Sequence, residues 1–435
     1  MTIVEEPAGT AKPPSGETSE VTSIPRNTAK VLHIIFIAFI AIAFTSIFLI
    51  SYSWLTNVIW FNNDFVTTNR WMIPIGVLTF SLAVGLCQKY LSAPTVIDGG
   101  FAESIKGGKK PDYRTFPGAL LSSLFSLLSG ASVGPEGTIS ILVEDISSFV
   151  REKLKIANES PDEALGFDMA ALASAFNGII GSALFTGVLA TEFQVGGKKD
   201  FFRFLIWNLL AGAIGFLFYA HLGLPSFAQM IPFSPVTEIN FSYTAYAVLL
   251  GMLGSLLAIF AGVSMQKIGT FMESKFHDKV ILRALAAGLV IAVVGYFIPN
   301  LLFSGEKQIH TIIQNPSQIG VAMLLLMAVL KVLLLALSFK SGYLGGPIFP
   351  IIFSSTMIAL ALNLIFPGVP LSILVSCIET AAMTLALGAP LTAILLAVTV
   401  NTASQYEIAL LVLSAVTAMI LSLVFREMKE QQSAR

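Results

Sequence analysis

Glu136 lies in Gly134-Pro135-Glu136-Gly137-Thr138, between the apolar runs Ala119 to Val133 and Ile139 to Val150. A carboxylate at bilayer depth costs about 2.5–3.5 kcal/mol on insertion scales, so it points to a function. The Gly and Pro beside it break one helix and begin another, and a helix start leaves backbone N–H groups without partners. Inside a membrane such groups attract anions. Gly and Pro also cluster in Leu91-Ser92-Ala93-Pro94-Thr95 and in Gly342-Tyr343-Leu344-Gly345-Gly346-Pro347-Ile348-Phe349-Pro350. Irregular backbone at that depth is tolerated only where protein buries it or it lines a water-filled cavity, so three breaks suggest one shared site, each starting a helix. Taken alone, the Ser92 hydroxyl is expected to bond back to its own helix. Tyr406, in Ser404-Gln405-Tyr406-Glu407, is by itself a membrane-interface tyrosine.

The elements that position these residues follow from composition. The chain has 435 residues, 55% hydrophobic and only 12% charged, with a mean hydropathy of +0.81, which excludes a soluble globule with a polar shell. Apolar stretches spread from about residue 31 to 425 allow ten or more spanning or partly spanning helices at about 20 residues per crossing. Aliphatic runs without period-two alternation argue against a β-barrel. The fold class is therefore an all-α, polytopic membrane protein, integral and multi-pass in a lipid bilayer, with the cell membrane as its expected location. Residues 1–28, rich in Pro, Thr, Ser and Glu, are expected to form a disordered cytosolic tail. Residues 29–425 form the transmembrane domain and 426–435 a short C-terminal tail. The basic run from Arg426 to Arg435 favours a cytoplasmic C-terminus.

Several function classes drop out. Net charge is −1, and nothing marks a nucleic-acid partner. No nucleophile–base pair, metal cluster or phosphate loop is visible, so neither an enzyme nor a cofactor is expected. His33, His221, His277 and His310 have no ligand spacing, so no metal site is expected. Cys87 and Cys377 lie far apart in apolar segments and should be buried and unpaired. Lys331 and Lys340 are expected to snorkel at the ends of an apolar helix, and a solvated loop accounts for Glu306 and His310.

The motifs together resemble those of the CLC family of chloride channels and chloride/proton antiporters. Ser92-Ala93-Pro94-Thr95-Val96-Ile97-Asp98-Gly99 is similar to the family's first signature, with Ser92 at the anion-binding serine. Ser132-Val133-Gly134-Pro135-Glu136-Gly137 is similar to the second, with Glu136 at the gating glutamate. The run Phe339 to Pro350 matches the third, Gly-Gly-x-Phe-x-Pro, and Tyr406 takes the place of the pore tyrosine. Ala175-Phe176-Asn177 and Gly388-Ala389-Pro390-Leu391-Thr392 resemble paired segments of two inverted halves, here about 29–220 and 240–425. The resemblance implies tilted, broken helices and a homodimer with one pore per subunit, moving chloride and related anions. It implies that the hydroxyls of Ser92 and Tyr406, and backbone at Pro135, Gly137, Ile348 and Phe349, surround the anion. Glu136 would compete for the anion position when ionised and release it when protonated, which links protons to chloride.

The sequence departs from the family pattern in three ways. Pro347 falls where an amide donor is expected and has no N–H, so coordination rests on Ile348 and Phe349. Pro135 replaces the basic residue before the gate. Val188 and Leu189 stand where proton-coupled members carry an internal glutamate, and Glu192, one helical turn on, is the candidate substitute relay. Chloride/proton antiport is the first expectation, an uncoupled chloride channel the second. A cation-coupled solute transporter, with Glu136 binding Na⁺, is the third.

Overall fold

Hydrophobic runs become helices because lipid offers no partner for backbone N–H and C=O groups, so each segment must satisfy its own. The computed structural model describes residues 26–95, 113–154, 161–195, 197–231, 233–234, 236–238 and 240–433. Among them there is no strand, only one isolated antiparallel bridge between Gly134 and Gly346. Eight helices are long and apolar enough to cross a membrane, and two shorter apolar helices, Leu371–Leu387 and Pro390–Asn401, accompany them. The expected residues Val96 to Gly99 and most of the N-terminal tail lie outside the described residues.

The first half contains α1 (Arg26–Thr56), α2 (Met72–Tyr90), α3 (Phe116–Leu128), α4 (Pro135–Lys153), α5 (Pro161–Ile180), α6 (Phe185–Glu192) and α7 (Gly197–His221). The second contains α8 (Phe241–Phe276), α9 (Val280–Phe297), α10 (Glu306–Gln314), α11 (Val321–Lys340), α12 (Ile348–Ile365), α13 (Leu371–Leu387), α14 (Pro390–Asn401) and α15 (Gln405–Ser433). Two expected boundaries move. Helix α1 already begins at Arg26, inside the expected tail, and α15 continues to Ser433, so the expected C-terminal tail is largely a helical extension.

The repeat is visible in local chemistry. Helix α5 is followed by Gly181 at φ +76° and then by short α6, and α13 is followed by Gly388 at φ +68° and then by short α14. A left-handed residue after a helix end is where glycine carries no steric cost. Neighbouring helices approach closely through small residues, as membrane helices do. A Cβ on Gly215 would overlap the Ser174 carbonyl, joining α5 to α7, and one on Gly254 would overlap the Ile378 carbonyl, joining α8 to α13. Helix α12 is mostly apolar and buried from Ile348 to Met357, the pattern of a central helix, and its hydroxyls Ser354 and Thr356 bond back to its own carbonyls. Cys87 and Cys377 are both buried and free.

Charged ends fix the tilt of α4. Arg151 in its last turn donates to Asp168 of α5 at 2.9 Å, and Arg151 and Lys153 suit the negative end of the helix dipole. Lys30 pairs with Glu163, tying α1 to α5.

Candidate anion and proton site

Helix α4 starts where the sequence requires. Gly134 is extended at φ −95° and ψ 162°, Pro135 takes the first helical position and Glu136 the second, where a missing N–H costs nothing and a negative charge meets the positive end of the dipole. Helix α12 starts opposite it after Pro347. Two backbone bonds clamp these starts together: Gly134 N–H donates to Gly346 O at 2.8 Å, and Gly346 N–H donates to Gly134 O at 2.7 Å. The Thr138 hydroxyl donates to Leu344 O at 3.2 Å, and the Leu344 N–H donates to Ser126 Oγ at 3.0 Å. No side chain fits between the two starts. A Cβ on Gly137 would overlap the Gly345 carbonyl, and one on Gly346 would overlap the Glu136 carboxyl.

The Glu136 side chain is 3% exposed and crosses this junction between the halves. Its Oε1 accepts from Ile348 N–H at 2.7 Å, and the Phe349 N–H also faces it. The acid of one helix start thus accepts from the N-terminal amides of another. Oε2 has no hydrogen-bond partner among the described residues, so the carboxylate is anchored on one side only. The expected Na⁺ alternative meets the wrong surroundings, because amide hydrogens rather than carbonyl oxygens face the carboxylate.

Two cavities reach the junction. The first, about 400 Å³, is bordered by Pro135 with Tyr52, Tyr219, Phe227 and Glu306. The second, about 420 Å³, is bordered by Glu136 and Gly137 with Phe176, Leu189, Lys340 and Ile348. Their walls touch elements at opposite ends of α14. Segment 225–231 bounds the first and bonds to the C-terminal end of α14, through Gln229 N–H to Thr399 O and Ile231 N–H to Val400 O. Leu385–Leu387, just before α14 begins, bounds the second. Phe227 packs edge-on against Phe349 at 4.2 Å between ring centroids, closing the space beside the gate.

Of the residues expected to share the site, Pro135, Glu136, Gly137, Ile348 and Phe349 come together at this junction, and Ser92 and Tyr406 border neither of these cavities. Ser92 is exposed, at φ +53°, and borders neither cavity. It follows the end of α2 without starting a described helix. Tyr406 is 42% exposed at the start of α15 and likewise borders neither cavity. The motif around it is a capping box. Ser404 N–H donates to Glu407 Oε2 at 2.7 Å and Glu407 N–H donates to Ser404 Oγ at 3.3 Å.

The paired segments hold the short helices. Asn177 Oδ1 accepts from the Thr186 N–H at 3.0 Å and from its hydroxyl at 2.8 Å, while Nδ2 donates to Ala183 O at 2.7 Å, which fixes the start of α6. At its other end α6 supplies Glu192. One carboxylate oxygen accepts from Leu391 N–H at 2.6 Å, and the other from Thr392 N–H at 2.8 Å and its hydroxyl at 2.6 Å. Glu192 therefore caps the start of α14 as Glu136 occupies the start of α12. Leu189, at the place of the internal glutamate, lines the second cavity, and Glu192 does not. A cap of this kind contributes about 0.5–2 kcal/mol, so Glu192→Ala is expected to lower the thermal midpoint in detergent by that equivalent. Glu192→Gln, which keeps one acceptor, should lose less.

Three polar groups stand where the sequence reading did not put them or beside cavities it did not foresee. Lys331 does not snorkel: it is 0% exposed in mid-helix, with Nζ donating to Phe303 O at 2.5 Å and Leu301 O at 3.1 Å and lying 4.9 Å from the Phe353 ring centroid. Lys340 lines the second cavity. Glu306 borders the first cavity instead of lying in a solvated loop, while His310 is exposed.

Comparisons with known proteins place this geometry. The model of the family described as "Voltage gated chloride channel" matches residues 80–423. "Putative ion-transport protein YfeO" of Escherichia coli (strain SMS-3-5 / SECEC) is 26% identical over 322 residues, 71% of each chain. A crystal structure of a slow cyanobacterial Cl⁻/H⁺ antiporter superposes with a TM-score of 0.75 at 16% identity, covering 93% of this chain and 96% of the other. A CLC-type fluoride/proton antiporter gives 0.72 at 18% identity, covering 92% and 97%.

Proposed function

The chain belongs to the voltage gated chloride channel family, and from that premise we propose that it exchanges chloride for protons across a membrane, with Glu136 as the shared gate. One observation carries this proposal: the Glu136 carboxylate accepts the Ile348 N–H at 2.7 Å, standing where a dehydrated anion would stand. The helix start supplies partial positive charge without a fixed cation that would hold chloride too long. Ionised, Glu136 fills the position; protonated, it gains an O–H, loses its charge and yields Ile348 and Phe349 to chloride. The backbone donors of Ile348 and Phe349 bear the coordination in this proposal. The Cl⁻/H⁺ antiporter named above shares the fold, and exchange in this chain is proposed in part on that likeness.

An uncoupled chloride channel of the same fold is the second reading, and Leu189 favours it, because an apolar side chain lines the second cavity where a relay carboxylate would stand. Glu192 could serve as that relay only by releasing the three donors it holds. Reconstituted vesicles separate the two readings. In the exchanger, a chloride gradient drives protons uphill; chloride flux with no uphill proton movement sinks it and leaves the channel. Assembly as a homodimer belongs to the same proposal and rests on the family resemblance, and subunit counting in vesicles checks it.

A further inference from the structure

Glu306 is a carboxylate that the gate mechanism does not use. It occupies the first turn of α10, in the connection between the spans α9 and α11, and it borders the 400 Å³ cavity that ends at Pro135. Its position is rigidly set. Phe303 N–H donates to Gly130 O at 2.9 Å, Gln308 Nε2 donates to Leu302 O at 3.3 Å, and Lys331 Nζ holds the carbonyls of Leu301 and Phe303. Gly305 then turns at φ +100°, a conformation that suits glycine, and delivers Glu306. Gly130 lies four residues before the Gly134 clamp, so one stretch of backbone anchors both the gate and the loop carrying Glu306.

The charged and titratable groups around it are few. Lys307, its neighbour, turns away to donate to Asn57 Oδ1 at 2.6 Å and to lie 4.4 Å from the Phe61 ring centroid. Tyr52 of α1 and Tyr219 of α7 border the cavity, and the Tyr219 hydroxyl donates to Pro225 O at 3.2 Å. Behind Pro135, which borders this cavity, comes Glu136, whose carboxylate interacts electrostatically with that of Glu306. The cavity thus joins a carboxylate at its wall to the element bearing the gate. Pro225 and Phe227 at its wall lead into residues that bond to the end of α14 and the start of α15, so the basic residues in the last turns of α15, expected in the cytoplasm, set this cavity on the other side.

We propose that Glu306 is the outer proton port of the transporter: a proton passes from water in the first cavity to the Glu306 carboxylate, and from its carboxyl O–H through cavity water to the Glu136 carboxylate. Each step forms one O–H bond and breaks one, and water reprotonates Glu306. Burial pushes the Glu306 carboxyl up to about 7, opposed by the Lys307 ammonium, so near neutral pH the group is able both to accept and to donate. This port rests on Glu136 being a protonatable gate, and a test must separate the two.

The experiment follows chloride flux from vesicles after a sudden drop in external pH, which requires protonation of Glu136 whether or not transport is coupled. Glu306→Gln is expected to slow the relaxation about tenfold, below the 10²–10⁴ typical of positioned proton transfer because the tyrosines and water offer a bypass. Glu306→Asp, which keeps the carboxyl, should recover most of the rate. Glu306→Gln added to Glu136→Ala should change nothing further, since no gate remains to be protonated. A role through space alone would move the midpoint pH without slowing relaxation at saturating acid. If Glu136→Ala abolishes the pH response while Glu306→Gln relaxes like wild type, the port is refuted and the gate stands. If Glu136→Ala keeps its pH response, the gate fails and the port with it.

Discussion

Chloride flux through Glu136→Gln is expected to lose its dependence on pH, and proton movement driven by a chloride gradient is expected to fall at least about 10²-fold, as when a positioned acid–base group is removed. The substitution is chosen for shape. Glutamine keeps the side-chain length, and its carbonyl oxygen can still accept from Ile348 N–H, so the clamp of Gly134 and Gly346 is undisturbed. It removes two things: the negative charge that makes Glu136 a rival for the anion, and the ability to bind a proton. A neutral amide loses most of the charge-assisted strength of that hydrogen bond, so chloride should displace it at any pH. Glu136→Ala removes the side chain altogether and should carry chloride faster still. Flux and proton movement measured in the same vesicles, with chloride and pH gradients crossed, report both effects. Proton pumping that survives in Glu136→Gln would remove Glu136 from the mechanism, and flux abolished in both variants would reopen a structural role.

The helix start bearing Glu136 was legible in the sequence because its chemistry is local. Gly, Pro and a carboxylate in consecutive positions name a helix start whatever surrounds it, and Pro347 announces that the next donor is Ile348. The halves were read from the resemblance of Ala175-Phe176-Asn177 and Gly388-Ala389-Pro390-Leu391-Thr392 to paired segments, and the structure adds that Gly181 and Gly388 each end a helix in the left-handed conformation that suits glycine. Tyr406 shows the limit of motif spacing. Ser404 and Glu407, three residues apart, already had the form of a capping box, and that local signal outweighs the position of the tyrosine between them. Ser92 likewise matched by motif, yet it stands exposed where α2 has ended. Glu192, Glu306 and Lys331 were out of reach for another reason. Their partners are Leu391, the first cavity, and the carbonyls of Leu301 and Phe303, each distant in sequence or formed only by the fold. A polar side chain in an apolar run announces that some partner exists, and only packing says which.

Lys331 should show the largest effect on stability of any residue outside the gate. Its side chain is fully buried in α11, and its ammonium satisfies two main-chain carbonyls of a loop that has no helix to satisfy them. The third N–H direction meets the face of Phe353, a favourable place for a cation. In Lys331→Met the stem is replaced almost isosterically, so little cavity forms, but two buried acceptors lose their donor. At about 1–3 kcal/mol for each of the two orphaned groups, the loss is expected to be about 2–6 kcal/mol, read as a fall in the thermal midpoint in detergent. A second consequence follows from where the loop leads. The same carbonyls hold the backbone that presents Glu306, so at temperatures where Lys331→Met stays folded its flux should relax slowly after an external acid jump, as in Glu306→Gln. The two substitutions should then be non-additive, because they interrupt one path. A Lys331→Met protein within about 0.5 kcal/mol of wild type, the range of an ordinary surface change, would show that the carbonyls find other partners and that the loop is set by Gly130 and Gln308 alone.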